Sequence, residues 1–162
     1  MSKVRYAVSS LAVVAALIAG IKGHEGIERT AYVDRLAYNK AVTVCYGHTR
    51  TAVLGQRYTN TQCDALLLKD LNEIYAPIVR KYVKVPLSQG EFNALVDFTY
   101  NLGEGKLRSS TLLRLVNEAK YEEAAKEFAK WRFTNGKDCS IRANKCYGII
   151  ERREWEYNQF VS

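Results

Sequence analysis

The sequence predicts an α+β fold, mostly α, with a small antiparallel β-sheet lobe beside a helical lobe. Three observations carry that prediction. Residues 31–58 gather the β-prone Tyr32, Val33, Thr43, Val44, Cys45 and Tyr46 between turn formers, with Gly47 and Gly55 marking the turns. From Thr59 onward apolar residues recur at helical intervals. The chain has only two prolines and is 48% hydrophobic, which suits a helix-rich globular protein. Its 162 residues fit one domain able to bury a core, and no repeat or linker interrupts residues 23–162.

At the N-terminus, Lys3 and Arg5 precede an uncharged run over residues 6–21, closed by Lys22. The run is short for a bilayer span of about 20 residues, and half of it is Ala, Ser or Gly. Its seven strongly apolar residues, at roughly −0.3 to −0.6 kcal/mol each, favour insertion by only ~2–4 kcal/mol. Three fates compete: a cleaved signal peptide with Ala19-Gly20 at its cleavage site, a permanent anchor, or a segment that enters the membrane, leaves it and packs as a helix on the soluble domain. Cleavage would leave Glu25 close to a new terminus, and weak hydrophobicity argues against permanence, so release is favoured. The expected division is a releasable segment over 1–22 and one folded domain over 23–162.

Beyond the sheet, Thr59 and Gln62 have capping-box spacing ahead of Leu66, Leu67, Leu71 and Ile74. Val85-Pro86 breaks that pattern. Ser88 and Glu91 form a second box, and Phe92, Leu95, Val96, Thr99 and Leu102 give an apolar stripe that stops at Gly103, the expected central helix. A serine-capped helix follows over 109–118. Ala124, Phe128 and Trp131 share a face, and a last helix runs from about Ile149 to Phe160 with Trp155 half-buried.

Chemistry concentrates between His24 and Thr49. Glu25 stands nine residues before Asp34, and Thr43 nine further on. Two carboxyls and a hydroxyl that can hold a water are the parts needed to hydrolyse a glycosidic bond. The stretch resembles the catalytic segment of phage lysozymes of the T-even and lambdoid type (glycoside hydrolase family 24), which carries Glu, eight residues, Asp, five residues, Thr, then a short strand ending in Gly-His. Glu25 and Asp34 keep the first spacing. Eight residues rather than five separate Asp34 from Thr43, an insertion of three within Arg35–Val42, while Thr43 to His48 stays in register. Phe98-Thr99-Tyr100-Asn101-Leu102-Gly103, Arg108 to Leu113, Trp131 and Gly148 to Glu154 resemble lambdoid endolysin blocks in the same order. With its N-terminal run, the sequence is similar to signal-anchor-release endolysins.

The resemblance implies a two-lobed lysozyme-like fold and a muramidase cutting the β-1,4 bond between N-acetylmuramic acid and N-acetylglucosamine in peptidoglycan, with inversion. The residues themselves leave inversion and retention open, because that depends on the carboxylate separation. Glu25 is then the general acid, Asp34 the base or electrostatic stabiliser, and Thr43 the residue that positions water. Apolar neighbours on the preceding helix are expected to keep Glu25 protonated. Tyr100 and Asn101 fall at the family's lower cleft wall, and suit core or capping roles equally. His48 is expected to be structural, as is His24. No cofactor is implied. The expected partners are peptidoglycan and, through the N-terminal segment, the host inner membrane. The expected protein is an exported monomer, held at the periplasmic face of that membrane and then released to the periplasm.

Four cysteines form an even set. With an export-like N-terminus they read as two disulfides. Of three connectivities, Cys45–Cys63 with Cys139–Cys146 is favoured, because each pair closes a short loop. Rival readings are a zinc site of His24, Cys45, His48 and Cys63, which lacks a second ligand pair of the right spacing, and a Cys45–His48 thiol nucleophile. The net charge of +7 draws the surface to polyanions. No nucleic-acid-binding signature appears, whereas an anionic wall or membrane fits. Two other function classes stay open: a non-catalytic wall-binding or membrane-associated protein, and a peptidase or amidase acting on peptide stems.

Overall fold

Helix α4 (Gln89–Leu102) is the element around which the helical lobe packs. The computed structural model describes residues 3–35 and 39–162, so part of the three-residue insertion after Asp34 lies outside the described residues. α4 begins as its local sequence dictates. Ser88 Oγ accepts from the Glu91 N–H at 3.2 Å, and the Glu91 carboxylate accepts from the Ser88 N–H at 2.8 Å. It ends at Gly103, whose φ of +86° favours glycine. Phe92, Leu95, Val96 and Phe98 are fully buried at 0% exposure. α8 (Gly148–Val161) lies along α4, and Phe160 meets Phe128 edge-on at 5.5 Å between ring centroids.

The other helices are α2 (Asn60–Asp70), α3 (Ala76–Tyr82), α5 (Glu104–Ser109), α6 (Thr111–Asn117) and α7 (Tyr121–Glu127). The expected Thr59–Gln62 box caps α2, and Ser110 caps α6 through the Leu113 N–H at 3.0 Å. A wider π-type turn, Leu71–Tyr75, joins α2 to α3. A two-residue-per-strand hairpin precedes α8, with β3 at Phe133–Thr134 and β4 at Lys137–Asp138.

The small lobe pairs β1 (Glu28–Val33) antiparallel with β2 (Val42–Cys45). Thr30 adds an isolated bridge to Arg57, and Val44 one to His48 across a turn containing Gly47 at φ +94°. Disulfides join Cys45 to Cys63 and Cys139 to Cys146, the favoured pairing. The first ties the sheet to α2, and the second braces the hairpin.

The N-terminal run does not form one helix. Residues 3–14 cross the helical lobe as a strap with one 3-10 turn, Val8–Ser10, and helix α1 starts only at Ala15 and runs to Glu25. Distant side chains explain this. The Leu11 carbonyl accepts from Arg80 Nη2 at 2.7 Å and the Ala12 carbonyl from Gln89 Nε2 at 2.9 Å, so neither serves a helical turn. Tyr6 and Leu87 exchange backbone hydrogen bonds of 2.8 and 2.9 Å. Arg5 grips Glu91 through Nε (3.0 and 2.9 Å) and Nη2 (2.7 Å) while its guanidinium lies 3.6 Å above the Tyr121 ring. Among the described residues no helix is long and apolar enough to cross a membrane.

α1 seats Leu17 and Ile21 in the core at 0% exposure, and Gly20 lets it approach α8. A Cβ at Gly20 would stand 2.2 Å from Trp155 Cζ2, whereas one at Gly23 would meet nothing within 4 Å. Gly20→Ala is therefore expected to cost about 1–3 kcal/mol by overpacking, and Gly23→Ala to gain about 0.5–1 kcal/mol from helix propensity. Thermal or urea unfolding of the two variants checks the contrast in sign.

Candidate active site

The last turn of α1 delivers Glu25 to the junction of the two lobes. Its carboxylate, 25% exposed, accepts a hydrogen bond from Arg152 Nη1. Arg152 is itself held from below. Its Nε and Nη2 donate to the two Asp97 oxygens at 3.0 and 2.8 Å, with Asp97 at 0% exposure and Arg152 at 3%. Burial works against this guanidinium's charge, but Asp97 and Glu25 outweigh it and push its pKa up. Glu25 thus meets a cation rather than the apolar surroundings expected from the preceding helix. The apolar side chains of α1, Leu17 and Ile21, turn into the core one and two turns earlier.

Asp34 and Thr43 lie on the small sheet. Tyr32 pairs with Thr43 and Val33 with Val42, and the Asp34 N–H donates to the Ala41 carbonyl at 3.0 Å. In that register Asp34 and Thr43 occupy the same face as diagonal neighbours, roughly 7–8 Å apart by sheet geometry. Thr43 is buried, and its hydroxyl donates to the Ala41 carbonyl at 3.3 Å, which leaves its lone pairs free to accept. Burial raises the pKa of the Tyr32 phenol on this face, and the carboxylates of Asp34, Glu28 and Glu25 raise it further. Burial likewise pushes the Tyr75 and Tyr100 phenols up, with Glu25 contributing to both.

Tyr100 and Asn101 are structural supports. The Tyr100 hydroxyl donates to the Tyr46 carbonyl and its ring sits 4.8 Å from that of Tyr75, while the Asn101 Oδ1 accepts from Arg153 Nη2. A second brace joins the lobes where Asp64 on α2 accepts from the Tyr46 hydroxyl at 3.1 Å and pairs with Lys22 of α1 at 2.9 Å. His48 is buried and structural. Its Nε2 accepts from the Thr51 N–H at 3.1 Å, which makes Nδ1 the protonated nitrogen that donates to Asp70 at 2.6 Å. His24 stands edge-on to Trp155 at 5.3 Å, and burial lowers its pKa. Because Cys45 and Cys63 are joined, neither serves as a thiolate metal ligand or nucleophile.

Arg152 and Asp97 were not singled out by sequence reasoning. Two signals pointed to them: an acid inside the apolar stripe of α4, and the adjacent arginines Arg152-Arg153 on a helix that must bury one face. A cavity of about 660 Å³ is lined by Ala129, Arg132, Ile150, Arg153 and Tyr157 among others, not by Glu25, Asp34 or Thr43.

The sequence profile of the phage lysozyme family matches residues 22–156. The chain belongs to that family. Among relatives, the SAR-endolysin of Enterobacteria phage PA-2 is 34% identical over 148 residues, 91% of this chain and 85% of the phage protein. The endolysin of Bacillus phage B103 is 35% identical over 142 residues, 88% of this chain but 51% of that longer protein. Among solved structures, the muramidase domain of SpmX from Asticaccaulis excentricus superposes with a TM-score of 0.81 at 32% identity, covering 94% of this chain and 99% of that one. The endolysin of Escherichia coli phage FAHEc1 gives 0.76 at 29% identity, covering 94% and 95%. The two-lobed, mostly helical phage-lysozyme architecture is therefore this chain's own.

His48 anchors the small lobe in this family member. His48→Ala strands the buried Asp70 carboxylate, for which Arg50 at 3.7 Å is the remaining ion-pair partner, and is expected to cost about 1–3 kcal/mol. Urea unfolding against Arg114→Ala, which removes an exposed helix-surface pair worth about 0.3–0.5 kcal/mol, checks the difference.

Proposed function

We propose that this phage-lysozyme-family protein is a muramidase of the signal-anchor-release kind, which hydrolyses the β-1,4 bond between N-acetylmuramic acid and N-acetylglucosamine in peptidoglycan during host cell lysis. The observation that carries the reading is the Glu25 carboxylate held by Arg152, itself fixed by Asp97, with Asp34 and Thr43 sharing one face of the small sheet. Glu25 donates its proton to the glycosidic oxygen. A sugar chain in the cleft excludes water from a carboxyl that is partly exposed without it, which favours the neutral acid. Asp34 stays ionised and stabilises positive charge developing on the sugar ring, or takes a proton from the attacking water. Thr43 accepts a hydrogen bond from that water.

The N-terminal segment has two environments in this reading. In lipid, residues 6–21 hold the protein at the periplasmic face of the inner membrane, with Lys3 and Arg5 on the cytoplasmic side. After release, the same residues form the strap and α1, and α1 carries Glu25 into place. The disulfides suit that oxidising compartment. The catalytic domain over 23–162 then acts as a periplasmic monomer without a cofactor.

Digestion of purified peptidoglycan is expected to release new reducing sugar ends and no new amino groups. Glu25→Gln, which keeps the shape of the side chain, is expected to lower that rate by about 10²–10⁴-fold with the unfolding curve little changed. A Glu25→Gln protein of wild-type activity removes the site assignment. Protein still tethered in right-side-out membrane vesicles, whose periplasmic face is outward, is expected to cleave added wall fragments far more slowly than released protein; equal rates contradict the role given to the strap.

A further inference from the structure

Glu25 sits at the end of a weakly built helical turn. Gly23, a poor helix former, lies two residues before it, and Gly26 closes α1 at φ +64°. Two contacts tie this turn to α8: Arg152 donates to Glu25, and Trp155 stands edge-on to His24. Neither sets the distance from Glu25 to Thr43, which belongs to the small lobe. The Arg152 bond is also strongest while Glu25 is charged. A general acid is neutral when it donates, so that grip slackens at the moment when placement matters most. Keeping the acid in register with Thr43 calls for a contact toward the small lobe that does not depend on the charge of Glu25.

Lys22 makes such a contact. It stands three residues before Glu25, on the same side of α1, and its Nζ meets Asp64 Oδ1 at 2.9 Å. The same oxygen accepts from the Tyr46 hydroxyl at 3.1 Å, and Lys22 Nζ lies 5.5 Å from the centre of the Tyr46 ring. Lys22 and Asp64 keep each other charged: the ammonium holds the Asp64 carboxyl below its usual pKa, and Asp64 raises that of Lys22. The point of attachment is firm. Cys45 precedes Tyr46 and Cys63 precedes Asp64, so the disulfide and the Tyr46–Asp64 hydrogen bond run side by side from the end of β2 to the start of α2. From α4, the Tyr100 hydroxyl donates to the Tyr46 carbonyl. Thr43 lies on β2 only two residues before Cys45.

We propose that Lys22 and Asp64 are positioning residues for the muramidase reaction: their ion pair, seated on Tyr46 and the Cys45–Cys63 disulfide, holds the last turn of α1 so that Glu25 keeps its place relative to Thr43 while it is neutral. The inference rests on reading Glu25 as the general acid. Neither residue touches the reacting atoms, and no proton passes through the pair. Both side chains are partly exposed, and exposed ion pairs add little to stability. The pair therefore acts on where the acid stands rather than on whether the protein folds, which makes the two roles separable by experiment.

The test measures kcat and KM on soluble, uncrosslinked peptidoglycan strands, read as new reducing ends, beside urea unfolding. Lys22→Met and Asp64→Asn are each expected to lower kcat by about 10- to 100-fold, as a displacement approaching 1 Å does, with KM and the unfolding midpoint little changed. The double variant is expected to match the slower single variant, because both changes remove one contact. Lys22→Arg, which keeps a cation for Asp64, is expected to recover most of the loss. Folded single variants that keep the wild-type kcat, or that change KM alone, overturn the proposal, as does a double variant in which the two losses multiply. Should a single variant not fold, Tyr46→Phe decides: it removes the hydroxyl that steadies Asp64 and is expected to lower kcat with KM unchanged, and a wild-type kcat overturns the proposal. Wild-type protein that releases no reducing ends overturns instead the muramidase reading.

Discussion

The bracket formed by Asp97, Arg152 and Glu25 is the interaction on which the architecture of the site depends. It draws on α4, α8 and α1, which are far apart in sequence: Arg152 lies 55 residues from Asp97 and 127 from Glu25. A guanidinium is suited to this because its rigid fork commits two nitrogens to one carboxylate and still points a third elsewhere. Asp97 orients Arg152, and Arg152 orients Glu25. Such buried ion groups add little net stability, but the loss of one member leaves an unpaired charge. They therefore hold geometry more than they strengthen the fold.

How well an element can be read from sequence depends on how local its causes are. The capping boxes at Thr59–Gln62 and Ser88–Glu91 were legible because each closes within three residues. The sheet was legible from β-prone residues between Gly-marked turns, and the disulfides from the short loops they close. The apolar stripe from Phe92 to Thr99 identified the buried helix. What escaped had distant causes. Residues 6–14 read as part of an apolar helix, yet Arg80 and Gln89, 69 and 77 residues away, hold the carbonyls of Leu11 and Ala12. The site was legible in Glu25, Asp34 and Thr43 as candidates, but not in what surrounds them. An apolar helix before Glu25 suggested an apolar pocket, whereas helical periodicity directs Leu17 and Ile21 inward and leaves Glu25 to a partner from the other end of the chain.

The strap gives the same N-terminal residues a place in the folded protein. Arg5 satisfies a Glu91 carboxylate that also caps α4, so the start of the central helix and the position of the N-terminus are set by one group. Gly20 against Trp155 and Lys22 against Asp64 then fix the path of α1 up to Glu25.

The most direct test of the account is a crystal structure of the Glu25→Gln protein soaked with a peptidoglycan fragment that spans one muramic acid–glucosamine linkage. The account predicts the bridging oxygen within hydrogen-bond distance of residue 25, the ring carbon beside it facing Asp34 and Thr43, and Arg152 still gripped by Asp97. A fragment seated instead in the cavity between α7 and α8, with residue 25 out of reach of the linkage, contradicts it.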